Sequence, residues 1–390
     1  MSTAKRTIDS FFKPPAKKPR VSELATTEEA KSAGEALERE FTRHPTYPFP
    51  IPCLPSSISS ELSSFPSTIG KEINDQADLD LLYFEPYIPK YLERQLFHFL
   101  RSELPFYRVE YDIRRGGIST HIKTPRWTTV FGLDETSKFN NNGELIDANS
   151  GKKIEKERCY TKYPPRPIPK CLDNLRLSTE LATGCKFNFC LVNYYASGSD
   201  SISYQYVNSR QVSLSFTPNS VLCFQGPLFL FSRYIFSISN ATSVFIFLQD
   251  PSLIGHADFP TFNSSDDERF LGSLPAIASY SLGARRDFLM KHKPIPPNDN
   301  APPPPETKPI KLPLASGDMI LMRGRTQANW LHSIPKRTGK NADDGGRINI
   351  TFRRAMVKGG TENYYNYNVG TGPVYKWDDI LKEMRIWKEL

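Results

Sequence analysis

The chain has 390 residues, a formal net charge of +8 and an isoelectric point near 9.0. This length is enough for one large domain or two ordinary ones, and the positive charge suits a polyanionic partner without identifying it. The six cysteines form no CxxC pair, and no secretory signal is expected at the N-terminus. Both points argue against a disulfide-stapled extracellular domain and favour reduced intracellular thiols.

Residues 1–78 are rich in Ser, Thr, Pro, Glu and Lys and carry few sustained apolar patterns, so they predict a mostly disordered tail. Within residues 5–12, Ile8, Phe11 and Phe12 have the i, i+3, i+4 spacing of one helical face, and prolines follow. Because a disordered tail cannot bury two adjacent Phe, this face indicates a partner groove, with chance apolar clustering as the alternative. The spacing resembles the motif by which replication and repair proteins bind the sliding clamp PCNA.

A basic cluster, Lys-Lys-Pro-Arg at residues 17–20, lies in the same tail. Such clusters are typical of nuclear import, although a merely solvated run of charge has the same composition. Together with the clamp-binding-like motif, the cluster predicts a protein of the nucleus that works on DNA.

From residue 79 the composition becomes globular, and we predict one domain over residues 79–375. A helix is expected around residues 90–104, because Leu92, Leu96 and Leu100 lie on one helical stripe. Short runs rich in β-branched and aromatic residues, bounded by polar turns, predict strands. The predicted strands are 125–132, 187–195, 276–283, 286–293, 317–322 and 347–353.

The final residues, 376–390, contain WDDILKEMRIW, which predicts a short amphipathic C-terminal helix. Few helices and many short strands favour a mainly β (α+β) fold, an antiparallel sandwich or jelly roll with flanking helices.

The predicted strand RINITFR places polar residues at every second position. Because alternate side chains of a strand share a face, Arg347 and Arg353 lie on the same side as Asn349 and Thr351. Two arginine side chains on a central strand need a negatively charged partner, since burying an unpaired charge is costly. A dicarboxylate ligand would satisfy both guanidinium groups. The alternative is a strand with a solvent-facing polar side.

Two further segments carry candidate ligand-binding side chains. His332 lies in NWLHSIP, shortly before that strand, and a lone His is more often structural than a metal ligand. In NYY, Asn193 and Tyr195 share a strand face and could hydrogen-bond a carboxylate.

Together, these segments resemble the AlkB family of Fe(II)- and 2-oxoglutarate-dependent dioxygenases, and most closely its nuclear branch acting on double-stranded DNA. The resemblance covers most of residues 80–356, in the segments FNFCLVNYYASGSDSISY, SDDERFLGSLPAIASYSLGARRDFLMKHK, LPLASGDMILMRG, NWLHSIP and RINITFR. It implies a jelly roll of the double-stranded β-helix type. It also implies Fe(II), 2-oxoglutarate and O2, with an ascorbate-type reductant as an optional addition. We expect a monomer that is not embedded in a membrane and that acts on duplex or single-stranded DNA with alkylated bases.

The resemblance also implies roles for individual residues. Those implied to hold 2-oxoglutarate are Asn193, Tyr195, Arg347, Asn349 and Arg353. Arg126 and Trp127, in PRWTTVFG, would approach the flipped base. Glu268 would read the edge of that base, and Tyr160 would line the nucleotide site.

The family holds its iron with a His-x-Asp motif and a distal His, which implies Asp266 and His332 as ligands. The motif is broken in this chain. Ser264 stands two residues before Asp266, where the first His is expected, and SISY upstream is followed by Gln205. The chain's one literal His-x-Asp begins at His256, which could replace the lost ligand only if its segment folded back onto the sheet.

Residues 206–263 separate the two halves of the broken motif and contain no Lys and no Glu, but nine Phe and nine Ser. A domain insertion and a membrane span are alternatives, but no apolar run reaches the roughly 18 residues that a span needs.

The genetic code offers a third interpretation of residues 206–263. The codons of Gln205-Tyr-Val can contain the intron donor GTATGT, and those of Asn-Ser264 can end in an AG acceptor. Joining across them keeps the reading frame and restores His two residues before Asp266, so we predict a translated intron.

The implied activity is oxidative demethylation of N-alkylated DNA bases, such as 1-methyladenine and 3-methylcytosine, in DNA repair. The target nucleotide would be flipped out of the duplex. Because the insert splits the first iron ligand, we expect the 390-residue chain to be impaired. The alternatives are a non-catalytic isoform that binds DNA and PCNA, and an AlkB-like demethylase of RNA.

Overall fold

The computed structural model describes residues 39–108, 110–115, 118–155, 160, 162–200, 269–294, 306–337, 345–369 and 372–389. The described residues from Glu40 onward belong to one compact unit. Several sequence predictions lie outside the described residues and stay predictions. They concern Ile8, Phe11, Phe12, residues 17–20, Gln205, residues 206–263, His256, Ser264, Asp266 and Glu268.

The described chain forms short strands and a few helices. The strands are β1 (Phe41–Thr42), β2 (Ile51–Pro52), β3 (Lys71–Ile73), β4 (Leu81–Phe84), β5 (Phe106–Tyr107), β6 (Glu110–Arg115), β7 (Ile118–Lys123), β8 (Trp127–Gly132), β9 (Ser137–Phe139), β10 (Leu145–Asp147), β11 (Phe189–Tyr195), β12 (Ile277–Gly283), β13 (Arg286–His292), β14 (Ile310–Leu314), β15 (Met319–Met322), β16 (Trp330–Ser333), β17 (Arg347–Arg353), β18 (Val374–Asp378) and β19 (Glu383–Ile386). The helices are α1 (Ser56–Glu61), α2 (Lys90–Glu103), α3 (Lys170–Thr183), α4 (Thr326–Asn329) and α5 (Glu362–Asn368).

A large antiparallel sheet of ten strands has the order β19-β18-β5-β8-β11-β17-β12-β15-β4-β3. Its central strands β11 and β17 are buried along their whole length, as expected for runs rich in β-branched and aromatic residues. A separate three-stranded antiparallel sheet has the order β14-β13-β16. Strands β8, β11, β12, β13, β15 and β17 confirm the strands predicted from the sequence, with small differences at their ends.

Apolar side chains cover both faces of the large sheet. On one face, which we call the outer face, Val192 of β11 packs in a cluster with Leu96 of α2 and Leu172 of α3. On the other face, Leu191 packs in an inter-sheet cluster that includes Phe288 of the three-stranded sheet. The domain is therefore mainly β, with α2 and α3 covering one side of its large sheet and the second sheet packing on the other.

Helix α2 confirms the helix predicted at residues 90–104. Leu92, Leu96 and Leu100 recur every four residues and are buried in the outer cluster. The helix starts directly after Pro89, carries Glu93 in its first turn and ends where the backbone becomes extended. Among the described residues, no helix is both long and apolar enough to cross a membrane.

Helix α3 was not predicted, and its buried face mixes apolar with polar residues. Ser178 and Thr179 are buried, whereas Leu177 and Leu181 are exposed. The buried Ser178 is satisfied because its hydroxyl donates to the Leu62 carbonyl at 3.1 Å. Because the buried Leu172 and Leu175 are followed on the same face by Ser178 and Thr179, the apolar periodicity that indicates a helix is interrupted.

The prediction that residues 1–78 are a mostly disordered tail is wrong for residues 40–78, which are folded onto the domain. Ile51, Leu54, Ile58 and Leu62 are buried in the outer cluster. Two of the prolines that indicated disorder, Pro52 and Pro55, lie between these apolar anchors. The anchors gain burial only against helices that are distant in sequence, which explains why the local composition was misleading.

The predicted C-terminal helix in residues 376–390 is also wrong, because this segment forms the β18–β19 hairpin. β18 pairs with β5 at the edge of the large sheet. In the turn, the Asp378 carboxylate accepts hydrogen bonds from the backbone N–H groups of Ile380 and Leu381, each at 2.9 Å. The free sheet edge and this Asx turn outweigh a helical apolar pattern that has nothing to pack against.

Candidate active site

A polar patch interrupts the inter-sheet face of the large sheet. On β11, Leu191 of the inter-sheet cluster is followed on the same face by Asn193 and Tyr195. Across the β11–β17 ladder, Asn193 lies opposite Asn349 and Tyr195 lies opposite Arg347. The register therefore brings together the residues that the sequence singled out for a carboxylate ligand. All of them are buried, so the alternative of a solvent-facing polar side is wrong.

Arg347 is fully buried and held by its neighbours. Its Nε and Nη2 donate to the Ser281 hydroxyl on β12 at 3.1 and 2.7 Å. The centre of its guanidinium group lies 5.6 Å from the centroid of the Tyr195 ring. A buried cation is costly without negative charge nearby, and a planar guanidinium suits a carboxylate.

The Tyr195 hydroxyl is the clearest sign of a ligand in this patch. It is buried and has no hydrogen-bond partner among the described residues. Burial raises the pKa of Tyr195, an effect opposed by the nearby charges of Arg126 and Arg347. The hydroxyl therefore stays protonated as a donor between two cations, a setting that fits a carboxylate ligand.

Asn193 is oriented by Arg126, which lies at the start of the neighbouring strand. Arg126 Nε donates to Asn193 Oδ1 at 3.3 Å. With its carbonyl oxygen engaged, the amide nitrogen of Asn193 remains the group that can donate to a ligand. Arg126 was predicted to approach the substrate base, and the structure places it beside the predicted 2-oxoglutarate residues.

Asn349 and Arg353 extend the patch along β17 in different ways. Asn349 Nδ2 donates to the Ser279 hydroxyl at 2.9 Å and the Tyr280 carbonyl at 2.8 Å, so this amide mainly ties β17 to β12. Arg353 is buried at the other end of β17, its guanidinium 5.5 Å from the Tyr364 ring centroid. The strand rise separates Arg347 and Arg353 by about 20 Å at their Cα atoms, so they can serve only opposite ends of an extended diacid.

His332 enters the same interior from the three-stranded sheet. It lies opposite Met290 in the β13–β16 ladder, and Met290 belongs to the inter-sheet cluster. Its imidazole stacks on the Phe288 ring, with centroids 5.3 Å apart and planes inclined by 25°. An imidazole held in this orientation between the two sheets fits the distal iron ligand.

The rest of the predicted metal centre falls outside the described residues, since Asp266 and the Ser264 position are not among them. Within the described ranges, no three His, Cys, Asp or Glu side chains converge on a metal site. The donor set of Asp266, His332 and one more histidine would suit non-haem Fe(II).

Trp127 and Tyr160 make their contacts in other parts of the domain and not in the polar patch. Trp127 packs on the outer face, its ring 6.0 Å from that of Tyr194 and 4.5 Å from the guanidinium of Arg108. Tyr160 is buried with φ +56°, and its hydroxyl lies 2.5 Å from the Thr361 hydroxyl. Its hydroxyl is thus engaged within the protein, and its predicted nucleotide contact stays a prediction.

Sequence reasoning missed the residues that hold the ligand-binding side chains in place. Ser279 and Ser281 on β12 receive the hydrogen bonds of Asn349 and Arg347. The signal was present in ASYSLG, where alternation puts both serines on one face. Phe288 behind His332 was missed because an apolar strand residue gives no sign of what it stacks on.

Comparison with known proteins gives matches to one family. Residues 264–353 match the sequence profile of the 2OG-Fe(II) oxygenase superfamily. The alpha-ketoglutarate-dependent dioxygenase alkB homolog 3 of Mus musculus is 45% identical over 89 residues, which are 23% of this chain and 29% of that protein. The DNA oxidative demethylase ALKBH2 of Arabidopsis thaliana is 37% identical over 114 residues, 26% of this chain and 35% of that protein. The chain therefore spans about a third of the length of these relatives.

A solved structure of OsALKBH1 aligns with 73% of this chain at 14% identity and a TM-score of 0.32, a similarity that carries no inference. The similarity that carries weight is instead the profile match and the relatives at 37 to 45% identity. Residues 264–353 match a 2OG-Fe(II) oxygenase domain, and about a quarter of the chain is similar to AlkB-type dioxygenases.

Proposed function

We propose that this protein is an Fe(II)- and 2-oxoglutarate-dependent dioxygenase that removes N-methyl groups from DNA bases. The observation that carries the proposal is the buried Tyr195 hydroxyl, without a partner among the described residues and close to the charge of Arg347. A buried hydroxyl donor beside a guanidinium group suits an anionic ligand. We also infer that the two sheets are the halves of a double-stranded β-helix.

Each residue of the patch has a part in binding. Arg347, fixed by Ser281, would pair with one carboxylate of 2-oxoglutarate. The Tyr195 hydroxyl and the Asn193 amide would donate to the same ligand from the adjacent strand. Because all three are buried, the ligand would bind with water excluded, which strengthens each charge-assisted hydrogen bond.

For the metal, His332, Asp266 and a restored histidine would be the ligands. When bound, the iron and 2-oxoglutarate supply an O2-dependent oxidant that hydroxylates the N-methyl carbon, which then leaves as formaldehyde. The protein residues position the cosubstrate and keep the imidazole of His332 in its plane through Phe288.

DNA as the substrate is supported by two relatives, whose names describe DNA oxidative demethylases, and by the net charge of +8. Arg126, beside Asn193, would lie between the cosubstrate and a flipped base, and Glu268 would read the base edge. The clamp-binding-like face of Ile8, Phe11 and Phe12 and the cluster at residues 17–20 would direct the protein to PCNA in the nucleus.

The insert at residues 206–263 decides whether this chain is active. The superfamily profile match begins at Ser264, the residue where we placed the end of the insert. That coincidence supports the interpretation of the insert as a translated intron. We infer that the spliced product, with His restored before Asp266, is the active form. The 390-residue chain would then be a DNA- and clamp-binding isoform of low activity.

Two experiments test this proposal. Sequencing of cDNA across codon 205 should find messages that lack the insert. A population that uniformly keeps it would refute the splicing hypothesis.

For activity, succinate release should be measured with 1-methyladenine in duplex DNA, single-stranded DNA and RNA. The spliced form should turn over on DNA, and both its His332→Ala variant and the 390-residue chain should be near background. Turnover on RNA alone would replace the DNA proposal with an RNA demethylase. No turnover by the spliced form on any substrate would refute the enzymatic proposal.

A further inference from the structure

Arg286, the first residue of β13, makes an unusual set of contacts for a buried arginine. Only 1% of its surface is exposed, and its guanidinium bonds three carbonyl groups of the loop at residues 196–200. Nη2 donates to Ser197 O at 2.6 Å, and Nη1 donates to Gly198 O at 3.1 Å and Asp200 O at 3.3 Å. One side chain thus fixes most of this loop.

Two other contacts hold the same loop. The Asp200 carboxylate accepts the backbone N–H of Ala196 at 2.8 Å, which closes the loop on itself. The backbone N–H of Arg337, shortly after β16, donates to Gly198 O at 2.7 Å. The loop is therefore joined to β13 and to the segment that follows His332.

The loop at residues 196–200 directly follows the ligand-binding patch along the chain. It begins directly after Tyr195, so its geometry sets where β11 ends and how the Tyr195 ring is presented. Arg286 lies close enough to Tyr195 for its charge to oppose the rise that burial causes in the pKa of that hydroxyl. Two residues further along β13 and on the same face, Phe288 stacks on His332.

We propose that Arg286 is a positioning residue for 2-oxoglutarate binding. It fixes the 196–200 loop and so holds the Tyr195 hydroxyl where the ligand carboxylate binds. A planar guanidinium with several donors can bond three carbonyl groups at once, which the single ammonium of lysine cannot do. The inference rests on the proposed function for its ligand, whereas the loop contacts themselves do not.

The test compares Arg286→Lys and Arg286→Met with wild type in the full 390-residue chain. Arg285→Met is the matched control, because Arg285 is the adjacent, exposed residue. Hydrogen exchange reports the backbone amides of residues 196–200, and isothermal titration with Mn(II) present reports 2-oxoglutarate binding. Loss of these charge-assisted bonds should speed exchange and raise the 2-oxoglutarate Kd, each by about tenfold or more. The control should match wild type in both.

The two measurements separate the possible failures. Wild-type exchange rates in both Arg286 variants would overturn the claim that Arg286 holds the loop. Faster exchange with an unchanged Kd would overturn the positioning role. If neither the 390-residue wild type nor the spliced form binds 2-oxoglutarate, the ligand assignment of the proposed function is refuted and the positioning role falls with it. Arg286→Lys keeps the buried charge, so it tests the same two claims if the Arg286→Met variant fails to fold.

Discussion

Replacing Tyr195 with Phe removes a single oxygen atom from the buried patch. The aromatic ring keeps its packing against the Arg347 guanidinium, and the hydroxyl that disappears has no hydrogen-bond partner among the described residues. The substitution therefore breaks no hydrogen bond among the described residues of the ligand-free protein. It removes only the donor that we assign to 2-oxoglutarate.

The expected effects on stability and binding have opposite signs. A buried hydroxyl without a partner costs about 1–3 kcal/mol, so Tyr195→Phe should raise the free energy of unfolding of the ligand-free protein by about 1 kcal/mol. A hydrogen bond to a charged group contributes about 1.5–3 kcal/mol. The Kd for 2-oxoglutarate should therefore rise by about 10- to 100-fold.

Urea denaturation and isothermal titration measure the two quantities. Tyr194→Phe is the matched control, since Tyr194 lies on the outer face of the same strand and should leave the Kd unchanged. A Tyr195→Phe protein that loses 1 kcal/mol or more of stability would show that the hydroxyl is bonded within the protein. An unchanged Kd would refute its assignment to the ligand.

Further predictions concern the arginine of the patch, the core and one buried carboxyl. Arg347→Lys should weaken 2-oxoglutarate binding by more than about tenfold in the same titration, because lysine cannot bond Ser281 and a carboxylate in one plane. Leu96→Ala should lower the free energy of unfolding by about 2–5 kcal/mol in urea melts, because Leu96 is buried in the outer cluster. A smaller loss would mean that neighbouring side chains move in to fill the cavity. Burial raises the pKa of Asp318, although hydrogen bonds from Tyr83 and a backbone amide oppose this. A carboxyl with a raised folded-state pKa loses stability as the pH rises through that pKa. Asp318→Asn should therefore reduce the loss of stability as the pH rises above about 4, the ordinary pKa of an aspartate, and an unchanged pH profile would contradict this.

The parts of the fold that the sequence predicted well depend on local repeats. Helix α2 was predicted because its leucines recur at the helical period. The polar face of β17 was predicted because alternation is a property of the extended backbone itself. Helix α3 was missed because part of its buried face is Ser and Thr, of which Ser178 is satisfied by the distant Leu62 carbonyl. The C-terminal hairpin was missed because its pairing partner, β5, lies far away in the sequence.

The sequence by itself determined which residues could form the site. Alternation put Asn193 with Tyr195 and Arg347 with Asn349, and the family motifs supplied His332. Only the tertiary structure decided that these groups share one buried interior, because the β11–β17 register and the facing three-stranded sheet are non-local pairings. It also showed that Arg286 ties the loop after Tyr195, since a hydrogen bond between β13 and a distant loop leaves no periodic trace in a sequence.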